Sequence, residues 1–247
     1  MALEVTLLTV FFAALITALT TGLGAIPLAF SKNIGKKWLS IGAATASGLM
    51  LAASHGLIEE GMRKDQWLTA AGILIGLVLV YWAFRWIDQK GGPDVSELNE
   101  ADAKKALLIV GVMTAHSFAE GIGVGVSYGG GEELGIFITA AIAVHNIPEG
   151  LAISLILVPR GISVIKASGW SIFSSLPQPL LAIPAFLFVS IFKPFLPIGL
   201  GLAAGAMIWM IFAELLPDAS KELEPATIGL IVVFAFLCMT LFQISIQ

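Results

Sequence analysis

Long apolar stretches separated by short polar segments make up most of the chain. We predict eight membrane-crossing helices from them, near residues 4–30, 38–61, 67–87, 104–128, 134–158, 165–192, 195–216 and 225–246. Each is long enough, because about 20 apolar residues in a helix cross the ~30 Å hydrocarbon layer of a bilayer. A polar cytoplasmic loop is predicted over residues 88–103. The pattern therefore predicts an all-α integral membrane protein with one transmembrane domain over residues 1–247.

The composition agrees with a chain that lies in a lipid bilayer. Hydrophobic residues make up 57% and charged residues 12%, whereas a soluble domain carries about 25% charged residues. The chain has no basic stripe, so we expect no nucleic-acid partner. Its one cysteine, Cys238, excludes an intrachain disulfide and a thiolate metal cluster.

The distribution of Lys and Arg predicts the orientation in the membrane. If the amino terminus faces outward, 10 of the 13 Lys and Arg residues lie in the inner loops. This agrees with the excess of Lys and Arg that cytoplasmic loops carry. We therefore expect both termini on the extracytoplasmic side of a plasma or inner membrane. The sequence leaves open whether the protein forms a homodimer.

Two segments repeat the pattern H-[SN]-x-x-E-G near the centres of spans four and five. The first contains His116 and Glu120, and the second, 29 positions later, contains His145 and Glu149. Residues four apart project from the same face of a helix. We therefore predict four ionisable side chains near the membrane midplane, where such residues are costly and commonly functional.

A divalent cation would explain four such residues in the membrane. The two glutamates carry a charge of −2, and the Lys and Arg residues lie at the span ends. Two imidazoles and two carboxylates suit Zn(II), and would also accept Fe(II), Mn(II), Co(II) or Cd(II). The metal is predicted to be a transported substrate, with no catalytic cofactor.

The residues around the motifs favour close packing and an internal repeat. Glycines 121, 123 and 125 form a small-residue strip on span four, and Pro148 predicts a kink in span five. Met50 and Met207 lie in similar G-x-M segments of spans that cross in opposite directions. This relation suggests inverted repeats, which are common in transporters.

The segments HSFAEG, HNIPEG, SSLPQPLLA and GLAAGAMIWMIFAELLPDA resemble the fourth to seventh helices of the ZIP (Zrt/Irt-like protein) metal transporters. The resemblance extends over all eight spans. It implies an inverted-repeat helix bundle, a binuclear metal centre between the fourth and fifth helices, and metal movement toward the cytoplasm by an elevator-like shift.

The resemblance also implies the site residues. The primary site falls on His116, Glu120, His145 and Glu149, with Met50 lining it. The secondary site uses Ser117, Asn146 and Gln178, with the two glutamates bridging. The family often has Asn at position 117 and Glu at position 178. Because Ser and Gln are poorer ligands, we expect the second site to be weaker or absent.

Polar residues near the span ends have two interpretations. His55, Glu59 and Glu60 near the outer end of span two either form an entrance site for an arriving cation or cap the helix at the interface. Glu214 and Asp218 at the inner end of span seven either form an exit site or a similar cap.

The leading hypothesis is a transporter that moves Zn(II) or a related dication into the cytoplasm. A metal-independent proton or organic-ion carrier is the alternative, because His and Glu chains also serve proton transport. An intramembrane metallohydrolase is a third hypothesis, but the chain lacks the H-E-x-x-H motif. We therefore do not expect an enzyme.

Overall fold

The computed structural model describes residues 5–30, 36–88, 103–158 and 161–246, and within these ranges the chain forms helices and no strand. The helices are α1 (Leu7–Leu23), α2 (Ile26–Phe30), α3 (Lys36–Lys64), α4 (Gln66–Asp88), α5 (Ala103–Gly130), α6 (Glu132–Leu157), α7 (Val164–Ser175), α8 (Pro177–Ile191), α9 (Leu196–Met210), α10 (Leu216–Ala219) and α11 (Pro225–Ile246). Most of the predicted loop over residues 88–103 lies outside the described ranges.

Seven helical segments of the described chain are long and apolar enough to cross a membrane. Helix α5, with 28 residues, occupies the place of the predicted fourth span. The outermost segment, Pro225–Ser245, has only 11% of its most apolar part buried by protein, as expected of a helix that faces lipid. The prediction of an all-α multi-pass membrane protein is confirmed.

Three of the predicted spans are interrupted, although the sequence predicted them as continuous. The first breaks between α1 and α2, and the sixth breaks at Leu176, between α7 and α8. The seventh contains a π-helical turn at Ile211–Leu215. Prolines 177 and 217 explain the last two interruptions, because each removes one main-chain hydrogen bond from the preceding turn. Pro148, in contrast, lies inside an uninterrupted α6.

The helices pack as two groups, which meet near the middle of the molecule. The first helix group contains α1, α5, α6, α7 and α8, which pack mainly against one another. The second helix group contains α3, α4, α9 and α11. Contacts of α3 with α6 and of α5 with α9 join the two groups.

Within each group, glycines bring the main chains of neighbouring helices into contact. A Cβ atom at Gly150 of α6 would overlap the carbonyl oxygen of Thr21 in α1, and one at Gly121 would lie 2.6 Å from the carbonyl oxygen of Gln178. In the second group, a Cβ would overlap the main chain of a neighbouring helix at glycines 48, 72, 76, 201 and 205. The prediction that the small-residue strip of α5 allows close packing is confirmed at Gly121 and Gly125, both against α8.

Between the two groups, glycines meet side chains instead. A Cβ at Gly123 of α5 would lie 3.7 Å from the Cβ of Ala203 in α9, which is ordinary van der Waals contact. A Cβ at Gly42 of α3 would lie 3.1 Å from the Cβ of Pro148 in α6. At these two glycines the groups therefore meet through side chains, whereas the glycines named above meet the main chain of a neighbouring helix.

Candidate metal centre

Three predicted ligands come together where α5 packs against α6. Glu120 projects from α5, and His145 and Glu149 project from successive turns of α6. One ligand atom from each lies within 4.8 Å of the others, and all three side chains are buried. Nε2 of His145 lies 3.2 Å from Oε1 of Glu120. We call these three residues the ligand cluster.

Several buried polar atoms of the ligand cluster make no hydrogen bond to a described residue outside the cluster. They are Oε1 of Glu120, both carboxylate oxygens of Glu149 and both ring nitrogens of His145. Buried polar atoms are nearly always hydrogen-bonded, because leaving them unpaired costs several kcal/mol. Two buried carboxylates and an imidazole whose polar atoms lack partners outside the cluster are therefore suited to a cation.

His116, the fourth predicted ligand, points toward a different partner. Its Nε2 atom lies 3.5 Å from Oε2 of Glu214, on the π-helical turn that follows α9. It is not part of the ligand cluster, although it lines the same cavity. That cavity has a volume of about 50 Å³, and its walls include His116, His145, Glu149, Glu214 and Asp218. The predicted exit residues are therefore next to the predicted primary site.

The remaining oxygen of Glu120 accepts a hydrogen bond from Gln178. Nε2 of Gln178 donates to Oε2 of Glu120 at 2.7 Å and to the hydroxyl of Ser117 at 3.5 Å. Oε1 of Gln178 accepts hydrogen bonds from the Thr17 hydroxyl and, at 3.2 Å, from Nδ2 of Asn146. All of these side chains are buried.

The structure therefore brings together the predicted secondary ligands Ser117, Asn146 and Gln178. It also gives both ends of the Gln178 amide protein partners. Oδ1 of Asn146 is buried and has no hydrogen-bond partner among the described residues. A role for these three residues as metal ligands stays a prediction.

Met50, predicted to line the primary site, is 1% exposed and belongs to the main apolar core together with Met207. It does not line the cavity beside the ligand cluster. Its role as a ligand stays a prediction.

A second cavity lies at the opposite end of the bundle, where α3 ends and α6 begins. It has a volume of about 550 Å³, and its walls include Glu59, Glu60, Glu132 and Glu133. Glu59 pairs with Arg63 on the same helix. His55 does not line this cavity: it is exposed, and its ring centroid lies 6.5 Å from that of Phe236.

Sequence reasoning missed Thr17, Glu132 and Glu133. The sequence does indicate a buried polar face at Thr17. Thr17 and Thr21 are four positions apart in an apolar span, so they lie on one face of the helix. Both threonines are buried, and Thr21 shares a hydrogen bond of 2.8 Å with Ser175. The signal for the two glutamates is their position in the first turn of α6, where acids are favoured.

Known proteins resemble this chain over most of its length. The family model described as ZIP Zinc transporter matches residues 87–243. Zinc transporter GufA of Myxococcus xanthus is 30% identical, over 85% of this chain and 87% of the relative. Zinc transporter ZIPB of Bordetella bronchiseptica is 31% identical, over 88% of this chain and 75% of the relative.

A protein of Arabidopsis thaliana with a provisional zinc-transporter name is 46% identical over 92% of this chain. The match covers only 37% of that plant protein, so this chain spans a little over a third of its length. The names of these relatives describe transporters, not enzymes.

Proposed function

Because the chain belongs to the ZIP family of zinc transporters, we propose that it carries divalent metal ions, Zn(II) foremost, through the membrane by way of the ligand cluster. The observation that carries the proposal is a buried group of two carboxylates and an imidazole, most of whose polar atoms make no hydrogen bond to a described residue outside the group.

The ligand chemistry supports a dication as the substrate. Two carboxylates carry a charge of −2, which one dication neutralises, and imidazole nitrogen and carboxylate oxygen are common Zn(II) ligands. His116 lines the same cavity and would complete the four predicted ligands. Fe(II), Mn(II), Co(II) and Cd(II) accept similar ligands, so the preference of the protein among these ions must be measured by competition.

The positions of the two cavities support a path with an inner exit. The small cavity extends from His145 to Leu39 and Asp218, near the helix ends that the distribution of Lys and Arg assigns to the cytoplasm. We propose that an ion leaves the ligand cluster past His116 and Glu214 toward Asp218.

The large cavity lies at the predicted extracytoplasmic end, where it forms an acidic vestibule. Its walls carry Arg63 as well as Glu59, Glu60, Glu132 and Glu133, and this excess of negative charge would attract cations to this end. Among the described residues, none lines both the vestibule and the cavity of the ligand cluster. We propose that the ion reaches the cluster only after the helices move.

The packing of the helices supports an elevator-like movement. Each group is held together at glycines where a Cβ would meet a neighbouring main chain, whereas the glycines Gly42 and Gly123 between the groups meet side chains. Sliding of one rigid group along another is an established kind of domain motion. We propose that the first helix group, which carries the ligand cluster, moves along the second.

Uptake by proteoliposomes tests the proposed transport. Purified protein should accumulate radioactive zinc or cadmium inside the vesicles, and Zn(II), Fe(II), Mn(II) and Co(II) should compete in a measurable order. A chelator in the external solution should abolish uptake. Transport of protons or organic ions that is unaffected by the chelator would instead favour the metal-independent carrier.

A further inference from the structure

The hydrogen bonds of Gln178 determine how many metal ions the centre can hold. We propose that Gln178 restricts it to one ion, because its amide nitrogen occupies the position at which a second cation would bind between residue 178 and Glu120. This inference rests on the proposed function and concerns the same site.

The direction of the Gln178 amide follows from a main-chain acceptor. Nδ2 of Asn146 lies 2.7 Å from the carbonyl oxygen of Thr17, which can only accept, so the nitrogen of the Asn146 amide must face it. The same Nδ2 atom lies 3.2 Å from the Gln178 side chain. Because this atom donates, Gln178 must present its oxygen there.

The nitrogen of Gln178 is thereby turned toward Glu120. The hydrogen bond of 2.7 Å from Nε2 to Oε2 of Glu120 places a donor with partial positive charge beside the carboxylate. An ionised carboxylate has only acceptor atoms, so the reverse orientation of the amide would place two acceptors together. Oε1 of Glu120 faces the ligand cluster, where it lies 3.2 Å from Nε2 of His145.

The main chain fixes the separation between these two side chains. A Cβ at Gly121 would lie 2.6 Å from the carbonyl oxygen of Gln178, so α5 and α8 are in direct main-chain contact next to Glu120. A carboxylate at position 178 would therefore bring one oxygen close to Oε2 of Glu120. Two carboxylate oxygens this close repel each other unless a cation binds between them. The hydroxyl of Ser117 lies beside the same position.

The charge of the metal centre also indicates one bound ion in the wild type. With Gln178 neutral, Glu120 and Glu149 carry −2, which one dication neutralises. A Gln178→Glu substitution raises the charge to −3 and removes the amide donor. The centre should then bind a second ion at Oε2 of Glu120, the oxygen that faces residue 178, while Oε1 remains in the ligand cluster.

Counting bound ions tests this inference. The purified full chain in detergent is dialysed to equilibrium against radioactive Cd(II) with excess Mg(II), which occupies the carboxylates of the vestibule, and Cd(II) ions per chain are measured at saturation. We expect one ion for the wild type, two for Gln178→Glu, and one for the control Gln178→Met, which has similar size but neither a charge nor a donor. A substitution that only disturbed folding would not raise the count.

The outcomes separate this inference from the proposed function. Two ions in the wild type, or one ion in folded Gln178→Glu protein, would overturn the inference and leave metal transport standing. A folded wild-type protein that binds no Cd(II) would overturn the proposed function and the inference with it. If Gln178→Glu protein does not fold, the wild-type count decides the question alone.

Discussion

Nε2 of His116 lies 3.5 Å from Oε2 of Glu214, and this contact joins the two helix groups. His116 belongs to α5 of the first group, whereas Glu214 follows α9 of the second. Both residues line the small cavity, along which we propose that the ion leaves. On that path Glu214 would act on ion release, whereas the ligand cluster would determine binding.

We expect Glu214→Gln to slow transport and leave binding nearly unchanged. The substitution keeps the side chain's shape but removes the negative charge that attracts the departing ion. Maximal uptake in proteoliposomes should fall about tenfold, which corresponds to about 1.4 kcal/mol, and the Kd for Cd(II) should change less than about twofold. Glu224→Gln, at an exposed position, is the matched control. An equal loss of affinity and rate would instead place Glu214 among the ligands of the cluster.

Removal of the imidazole of His145 should abolish high-affinity binding. His145→Ala removes the one imidazole of the ligand cluster from its two buried carboxylates, so we expect the Kd for Cd(II) to rise on the order of 100-fold, or about 2.8 kcal/mol. Isothermal titration measures it. His55→Ala is the control, because His55 is exposed and lines neither cavity. Unchanged affinity in His145→Ala protein would remove this residue from the proposed site.

Metal binding should weaken as the pH falls. Imidazole and carboxylate bind a metal ion only in their deprotonated forms, so protons compete with the ion. Affinity is therefore greatest at high pH and is lost as the ligands become protonated. Between pH 7.5 and 5.5 we expect the Kd for Cd(II) to rise about tenfold or more.

His145→Gln provides the matched test of this pH dependence. A glutamine side chain offers a carbonyl oxygen that does not titrate, so the variant should show a shallower dependence than the wild type. An identical slope in both proteins would show that His145 does not exchange a proton for the metal.

The ligand cluster could be predicted from the sequence because its geometry is local. His145 and Glu149 are one helical turn apart, and the repeated motif pairs them with Glu120 on the neighbouring helix. The all-α membrane fold was predictable for a similar reason, since helix length and apolar composition follow directly from the thickness of the bilayer.

The partners of His116 and Gln178 could not be predicted in the same way. The contact of His116 with Glu214 depends on how α9 lies against α5. The bond from Gln178 to Glu120 depends on close packing at Gly121, and Thr17 comes from a helix 161 positions away in sequence. Such contacts depend on how the helices pack in the tertiary structure, and the periodic pattern of apolar residues along the sequence does not predict that packing.

Gly150→Ala should destabilise the first helix group. The new Cβ would overlap the carbonyl oxygen of Thr21, so α1 and α6 must separate, at a cost of about 3 kcal/mol. The apparent Tm in detergent should fall by several degrees. Gly169→Ala is the control, because a Cβ there has nothing within 4 Å and alanine favours a helix. Equal Tm values for the two variants would contradict a rigid contact at Gly150.

A disulfide between the two helix groups should stop transport without preventing metal binding. A Cβ at Gly123 would lie 3.7 Å from the Cβ of Ala203, which matches the usual Cβ separation of about 3.8 Å in a disulfide. We propose Gly123→Cys with Ala203→Cys in a Cys238→Ser background, because Cys238 is exposed and free.

Oxidation should lower uptake by the double variant at least tenfold, and reduction should restore it, because the link prevents the first helix group from moving along the second. Binding of Mn(II), for which thiolates are poor ligands, should be the same in both states, since neither cysteine lies in the ligand cluster. The two single-cysteine variants control for the substitutions themselves. Full uptake by the oxidised, cross-linked protein would contradict the elevator-like movement, because α5 and α9 would then remain in register throughout transport.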